Sequence, residues 1–173
     1  MIVYYSFFDT SIGTFYCAST KRGLCALSLS PKSENDFIDH LKKYTRSECE
    51  RDNSLARGLI KLVNRYLSGT PPFWSFPLDI SFGTKFQQKV WLAVQKVGYG
   101  KTATYSKIAE MIGTPRSARA VGQALKKNPI VIIIPCHRIL GKDDSLTGFA
   151  CGLDMKKKLL DIESSANKRA CIK

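Results

Sequence analysis

The chain has 173 residues, 44% of them hydrophobic, and carries 27 Lys and Arg against 14 Asp and Glu, a net charge of +13. That length accommodates one generous domain or two small ones, and the surplus of cations favours a polyanion such as nucleic acid over acidic small molecules. No run approaches the apolar length that a bilayer demands, and Met1-Ile2-Val3-Tyr4-Tyr5-Ser6 lacks the basic n-region of a secretory signal, so an intracellular protein is expected.

Residues 2–8, 12–19 and 24–30 alternate or run apolar and aromatic, with breaks at Asp9-Thr10 and Lys21-Arg22-Gly23, which predicts a small antiparallel sheet. Phe37, Ile38 and Leu41 predict a helix from Ser33 to about Tyr44, and Leu55, Leu59, Leu62, Val63 and Tyr66 a second one ending near Gly69. The acids Glu34, Asp36, Asp39, Glu48, Glu50 and Asp52 read as solvated helix faces and caps. Residues 1–75 are therefore expected to be an α/β scaffold domain without chemistry of its own. Thr70 to Pro77, with Pro71, Pro72 and Pro77, reads as an extended connector.

Residues 76–165 read as a second, mostly helical domain. Thr84-Lys85-Phe86-Gln87 fits a capping box before a helix whose Phe86, Val90, Val94 and Val97 share a face. Thr104 is placed to cap a short helix with Tyr105, Ile108, Ala109 and Ile112, and Gly113 sits where a left-handed C-cap is expected. Thr114 as N-cap and Pro115 at the first helical position predict the next helix, over Arg116 to Lys127. Ala118, Val121 and Leu125 lie on one face of it, and Arg116, Arg119, Gln123 and Lys126 on another. The pair reads as a helix-turn-helix with a basic second helix suited to DNA, the alternative being a merely solvated basic face.

Ile130 to Ile134, five β-branched residues between Pro129 and Pro135, predict buried extended chain that delivers Cys136, His137 and Arg138 in succession. A free cysteine is by default a small buried hydrophobe. What argues for a nucleophile is the adjacent base and cation, either of which lowers a thiol pKa. Neighbours in regular structure do not face each other, so Cys136 and His137 can communicate only across a sharp backbone turn or through a water. Leu140 to Ser145 reads as an exposed turn and Leu146 to Leu153 as a small-residue loop able to wall a pocket. A final helix carries Met155, Leu159, Leu160 and Ile162 and ends at Glu163. Ser164 to Lys173 is polar and aperiodic, with 166–173 expected to be a frayed tail.

Cys17, Cys25, Cys49, Cys136, Cys151 and Cys171 form no C-x-x-C pair, and His40 and His137 are the only histidines, so there is no zinc signature. Cytosolic redox keeps such thiols reduced; a Cys17–Cys25 bridge across the first hairpins is the alternative.

These residues resemble a known family. Arg119-Ala120-Val121-Gly122, Asn128-Pro129, Ile134-Pro135-Cys136-His137-Arg138-Ile139, Thr147-Gly148-Phe149-Ala150 and Lys158-Leu159-Leu160-Asp161-Ile162-Glu163 follow in order over about residues 82 to 163. Together they resemble the alkylguanine-DNA alkyltransferases, or methylated-DNA-protein-cysteine methyltransferases; the first half fits only by its β-then-helix pattern. The resemblance implies an α/β (α+β) fold in which a small N-terminal antiparallel sheet with helices joins a mostly helical C-terminal domain. That second domain would hold the helix-turn-helix and the active-site cysteine. The implied function is DNA repair by direct, irreversible transfer of a methyl or alkyl group from O6-alkylguanine, with O4-alkylthymine as a further candidate. Cys136 would be the acceptor, once per chain, with no cofactor and no metal.

In that reading His137 takes the Cys136 proton through a water, Glu163 orients the imidazole, Asn128 bonds the turn around the thiol, and Tyr105 donates to the departing guanine. Arg119 fills the stack vacated by the flipped nucleotide. Ser106 and Thr114 contact phosphates or merely cap backbone amides, while Ile139 and Ala150 offer backbone groups to the flipped base and Phe149 stacks on it. The implied partner is double-stranded DNA containing O6-alkylguanine, bound through its minor groove by a monomer, without a membrane, in the cytoplasm or in a eukaryotic nucleus. Phe149 stands where the family usually has tyrosine, and Cys151 where it has a small residue. Two rivals remain from the residues alone: a non-catalytic helix-turn-helix lesion sensor or regulator, and a cysteine hydrolase using Cys136, His137, Asn128 and Glu163.

Overall fold

Alternation in the first thirty residues builds a meander of β1 (Ile2–Thr10), β2 (Gly13–Thr20) and β3 (Gly23–Leu29), antiparallel throughout. The computed structural model describes residues 1–29 and 31–170. They form two compact units: Met1–Tyr66 with Pro72–Phe82 and Pro129–Val131, and Leu67–Pro71 with Gly83–Asn128 and the chain from Ile132 onward.

In the first unit, Val3, Tyr5, Ala18 and Cys25 of the sheet pack with Phe37 and Leu41 of α1 (Glu34–Thr45). Ser33 caps that helix, accepting from the Asp36 N–H at 3.1 Å. A fourth strand, β4 (Glu48–Arg51), pairs parallel to β1, so the sheet is mixed, with order β3-β2-β1-β4. Glu48 and Glu50, read above as helix faces or caps, lie instead on this edge strand. An exposed edge carries charges and no apolar alternation, which is why sequence patterning passes over it. Helix α2 (Ala56–Leu67) buries Ala56, Leu59, Val63 and Tyr66. The proline-rich connector is partly a strand partner: the Leu24 N–H donates to Pro77 O at 2.9 Å and the Asp79 N–H to Leu24 O at 2.8 Å. Gly23, at φ 138°, lets Pro77 approach where any Cβ would collide with it.

Cys17 and Cys25 are free, and the register sets Cys17 opposite Leu27, so the disulfide alternative is corrected. Burial pushes both thiols up to about 12.

The apolar run after Pro129 is buried throughout but is not the strand expected of it. The Leu27 N–H donates to Pro129 O and the Val131 N–H to Leu27 O, both at 2.8 Å, and the pairing stops there. Ile132 then turns with φ 69°, a left-handed conformation rare for a β-branched residue. Apolar composition reports burial; it does not separate a buried strand from a buried turn.

The second unit contains α3 (Lys85–Gln95), α4 (Tyr105–Met111), α5 (Ala118–Lys126) and α6 (Leu153–Ala170), with a short parallel pair of β5 (Ala103–Thr104) and β6 (Ile139–Leu140). The capping box at Thr84 and Gln87 is present, Thr104 caps α4 through the Lys107 N–H, and Gly113 has φ 76°. The Trp91 indole N–H donates to Ala124 O at 3.0 Å, fastening α3 to α5.

Helix α5 starts later than expected, after Ser117 and not at Thr114. Thr114 to Ser117 is a turn, closed by the Ser117 N–H on Thr114 O at 2.9 Å. A proline fits the second position of such a turn as well as it fits the first position of a helix, so Pro115 does not discriminate the two. The last helix passes the expected end at Glu163 and runs to Ala170. The Ser164 and Ser165 hydroxyls bond back to Asp161 O within the helix, and alanine, lysine and arginine, good helix formers, follow. Cys171 to Lys173 lie outside the described residues. Among the described residues no helix is long and apolar enough to cross a membrane.

Candidate active site

Every side chain of the candidate site belongs to the second unit. Helix α5 ends at Lys126, and the Asn128 N–H still reaches back to Leu125 O at 3.0 Å, which fixes the Asn128 backbone. Its amide Nδ2 donates to Ile134 O at 2.8 Å and to Cys136 Sγ at 3.0 Å. Between these two acceptors Pro135 has φ −81° and ψ 63°, and the Cys136 N–H donates to Ile134 O at 2.8 Å, an inverse γ-turn. Cys136, His137 and Arg138 then form one turn of 3₁₀ helix. The sharp backbone turn that a Cys136–His137 pair requires is therefore present.

His137 and Glu163 are both fully buried, with Nε2 2.8 Å from Oε1. Arg138 bonds both carboxylate oxygens of Glu163, Nε to Oε2 at 2.9 Å and Nη2 to Oε1 at 2.9 Å, and Nη1 donates to Val97 O at 2.6 Å. The Gly100 N–H adds a bond to Oε2 at 2.9 Å. Burial pushes the Glu163 carboxyl up, but the bonds from His137 and Arg138 outweigh it and bring the group down to about 2. Burial lowers His137 despite the carboxylate beside it. An anionic Glu163 can only accept, so Nε2 carries the imidazole proton and Nδ1 holds the basic lone pair.

Burial pushes the Cys136 thiol up to about 11, against the Asn128 hydrogen bond and the Lys156 charge, which act downward. At neutral pH the resting pair is thus a thiol and a neutral imidazole. Lys156 was not singled out by sequence reasoning. It is fully buried, and its ammonium donates to Ile139 O at 2.5 Å and Thr147 O at 2.6 Å. A usable signal existed: in Lys156-Lys157-Lys158, only Lys156 shares a helical face with both Leu159 and Glu163.

Cys136 lines a cavity of about 350 Å³ with Tyr105, Gly122, Leu125, Phe149 and Ala150. The Tyr105 hydroxyl donates to Thr147 O at 3.2 Å, and the Phe149 ring stands edge-on to His137, 6.5 Å between centroids. A larger cavity, about 490 Å³, lies along α6 beside Lys157 and Asp161 but contains neither thiol nor imidazole.

The remaining expected residues, Ser106, Thr114, Arg119 and Ile139, do not line this cavity. Ser106 and Arg119 are exposed second residues of α4 and α5. Thr114 is exposed in the turn, its Oγ1 2.7 Å from Ser117 Oγ. Ile139 is buried in β6, with its N–H on Cys136 O and its carbonyl on Lys156. Among the described residues no group of three or more His, Cys, Asp or Glu could hold a metal ion.

Comparison with known proteins covers both halves. Residues 3–80 match the family described as 6-O-methylguanine DNA methyltransferase, ribonuclease-like domain, and residues 85–165 its DNA binding domain. The methylated-DNA–protein-cysteine methyltransferase of Methanosarcina barkeri is 39% identical over 168 residues, 94% of this chain and 98% of the relative. The inducible one of Bacillus subtilis is 37% identical over 171 residues, 95% and 92% of the two chains. Mycobacterium tuberculosis OGT, solved in complex with DNA, superposes with a TM-score of 0.80 at 36% identity, covering 94% of each chain.

Proposed function

The chain belongs to the 6-O-methylguanine DNA methyltransferase family, and from that premise we propose that Cys136 is its alkyl acceptor. The protein is an enzyme of direct DNA repair that transfers an alkyl group to a cysteine, and DNA is its partner. The observation that carries the assignment is Cys136 on the cavity wall, held by the Asn128 amide at 3.0 Å and followed by a histidine fixed on Glu163.

With the thiol pushed up to about 11, its proton must leave as the sulfur attacks. His137 Nδ1 takes it, directly or through a water, and Glu163 stabilises the imidazolium that results. The sulfur forms its bond to the alkyl carbon of O6-alkylguanine as the carbon–oxygen bond breaks. Tyr105, on the same cavity wall, supplies a proton to the released guanine.

For DNA, α5 enters the minor groove, Arg119 fills the stack left by the flipped nucleotide, and Ser106 and Thr114 hold phosphates. Ala150 and the Ile139 backbone border the flipped base, and Phe149 stacks on it without a hydroxyl. The first unit acts as scaffold and the second as the DNA-binding and alkyl-acceptor domain of a monomer that works in the cytoplasm, or in the nucleus of a eukaryote.

The test is peptide mass analysis after incubation with duplex DNA containing O6-methylguanine. One added methyl on the peptide holding Cys136, and none on Cys136→Ser, is the expected result. Methyl on another cysteine overturns the assignment. DNA binding with no transfer at all would favour the lesion-sensor reading.

A further inference from the structure

We propose that Lys126 extends the lesion range of the Cys136 cavity to alkyl groups that end in a carboxylate, an inference that rests on the alkyl-transfer function above. Lys126 is the last residue of α5, one turn beyond Gly122, and lines the same cavity of about 350 Å³ as Cys136. The rest of the wall is uncharged: Leu125, Phe149 and Ala150 offer apolar surface, Tyr105 and Thr147 hydroxyls. Among the described residues no acidic one lines it. Among the described residues Lys126 makes no ion pair, in contrast to Lys107, which lies 3.3 Å from Glu110.

A methyl lesion brings no charge into this space, but a carboxymethyl lesion carries an anion on the carbon that the sulfur attacks. As the sulfur gains negative charge, the two anions stand a few ångströms apart and repel. A cation on the wall offsets that repulsion, and a lysine stem is long and flexible enough to follow the carboxylate from ground state to transition state. The step remains a displacement. The Sγ–C bond forms as the C–O6 bond breaks, the thiol proton passes to His137 and on to solvent, Tyr105 protonates the released guanine, and solvent reprotonates Tyr105. Cys136 keeps the carboxymethyl group as a thioether.

The rival role for Lys126 is a phosphate contact, which every duplex substrate would share. The experiment therefore reads a ratio. Single-turnover rates are measured on one duplex sequence carrying O6-methylguanine, O6-carboxymethylguanine or its neutral amide, O6-carbamoylmethylguanine. In Lys126→Gln the carboxymethyl-to-methyl ratio should fall roughly five-fold, the effect of an ion pair at a solvent-open site. Lys126→Arg should keep the ratio, Lys126→Glu should lower it further, and the amide-to-methyl ratio should stay constant across the set. Equal changes on the methyl and carboxymethyl duplexes, or a fall that the amide shares, overturn the inference and leave alkyl transfer standing. Failure of the unsubstituted protein to place methyl on Cys136 overturns the site reading and this inference with it.

Discussion

His137 Nε2 and Glu163 Oε1, 26 positions apart in sequence, meet at 2.8 Å with neither side chain exposed to solvent. Arg138 grips the same carboxylate, so a base, an acid and a cation share one buried site directly after the thiol. A buried carboxylate is tolerable when it is paired and fully hydrogen-bonded, and that condition ties catalysis and stability together here.

Glu163→Gln should separate the two effects. It leaves Arg138 buried without its counter-charge, a loss of about 3–5 kcal/mol in a urea melt. It also weakens His137 as a base, so transfer at neutral pH should slow about a hundredfold or more. As pH rises towards the thiol's value of about 11, hydroxide can replace the base and the variant should catch up. A rate deficit constant with pH would assign Glu163 to folding alone.

Acid should unfold the protein in two overlapping stages. Glu163 sits at about 2 against an ordinary 4.5, so its contribution is complete above 4.5 and is lost as pH falls towards 2. His137 is lowered from 6.5, so the unfolded chain takes up its proton first and stability starts to decline just below 6.5. Urea midpoints measured from pH 7 to 2 should fall throughout, and His137→Phe should flatten the upper part. A midpoint that holds steady down to pH 4.5 in the unsubstituted protein would contradict the His137 stage.

How far the sequence announces all this varies by element. The three antiparallel strands are legible because one face is buried, which forces period-two patterning, and the capping box at Thr84 because its chemistry is local. Strand β4 is not, since Glu48, Glu50 and Arg51 sit on an exposed edge. Ile130 to Ile134 reveals burial but hides the turn at Ile132, where surrounding packing and not local preference sets the backbone. Cys136 and Glu163 stand out by resemblance to a family. The burial of Lys156 depends on the Ile139 and Thr147 carbonyls, which only the fold brings to it.

Asn128→Ala removes the donor to both Ile134 O and Cys136 Sγ. The thiol should move above its value of about 11, and transfer should slow about ten- to a hundredfold, the worth of a hydrogen bond to a group that becomes charged. Asn128→Asp keeps the shape but turns an acceptor towards the sulfur, so it should be at least as slow. Alkylation of Cys136 by iodoacetamide across pH provides the measurement; an Asp variant faster than Ala would exclude the hydrogen bond as the cause.

Lys156→Met should destabilise by about 1–3 kcal/mol for each carbonyl left unpaired. Transfer should slow as well, because the Lys156 charge favours the Cys136 thiolate. The two losses are distinguished by reading the pH profile of transfer well below the melting temperature. A purely structural role would lower the melting temperature without moving that profile.

The reaction should stop after one event per chain. Attack of sulfur on an alkyl carbon gives a thioether, whereas attack on an acyl carbon gives a thioester that an activated water can hydrolyse. A thioether has no carbonyl, and protonating its weakly basic sulfur does not create a leaving group at neutral pH. His137, lowered by burial, is neutral at that pH and holds no surplus proton to give it. A titration of O6-methylguanine duplex against known protein should therefore plateau at one methyl per chain. The product also carries a methyl where Cys136 is only 8% exposed and tied to Asn128 at 3.0 Å. Overpacking of that kind costs about 1–3 kcal/mol. The methylated protein should melt earlier than the free one in the same buffer. Repair that continues past equivalence would mean that a water reaches and cleaves the adduct, and would return the cysteine hydrolase reading to first place.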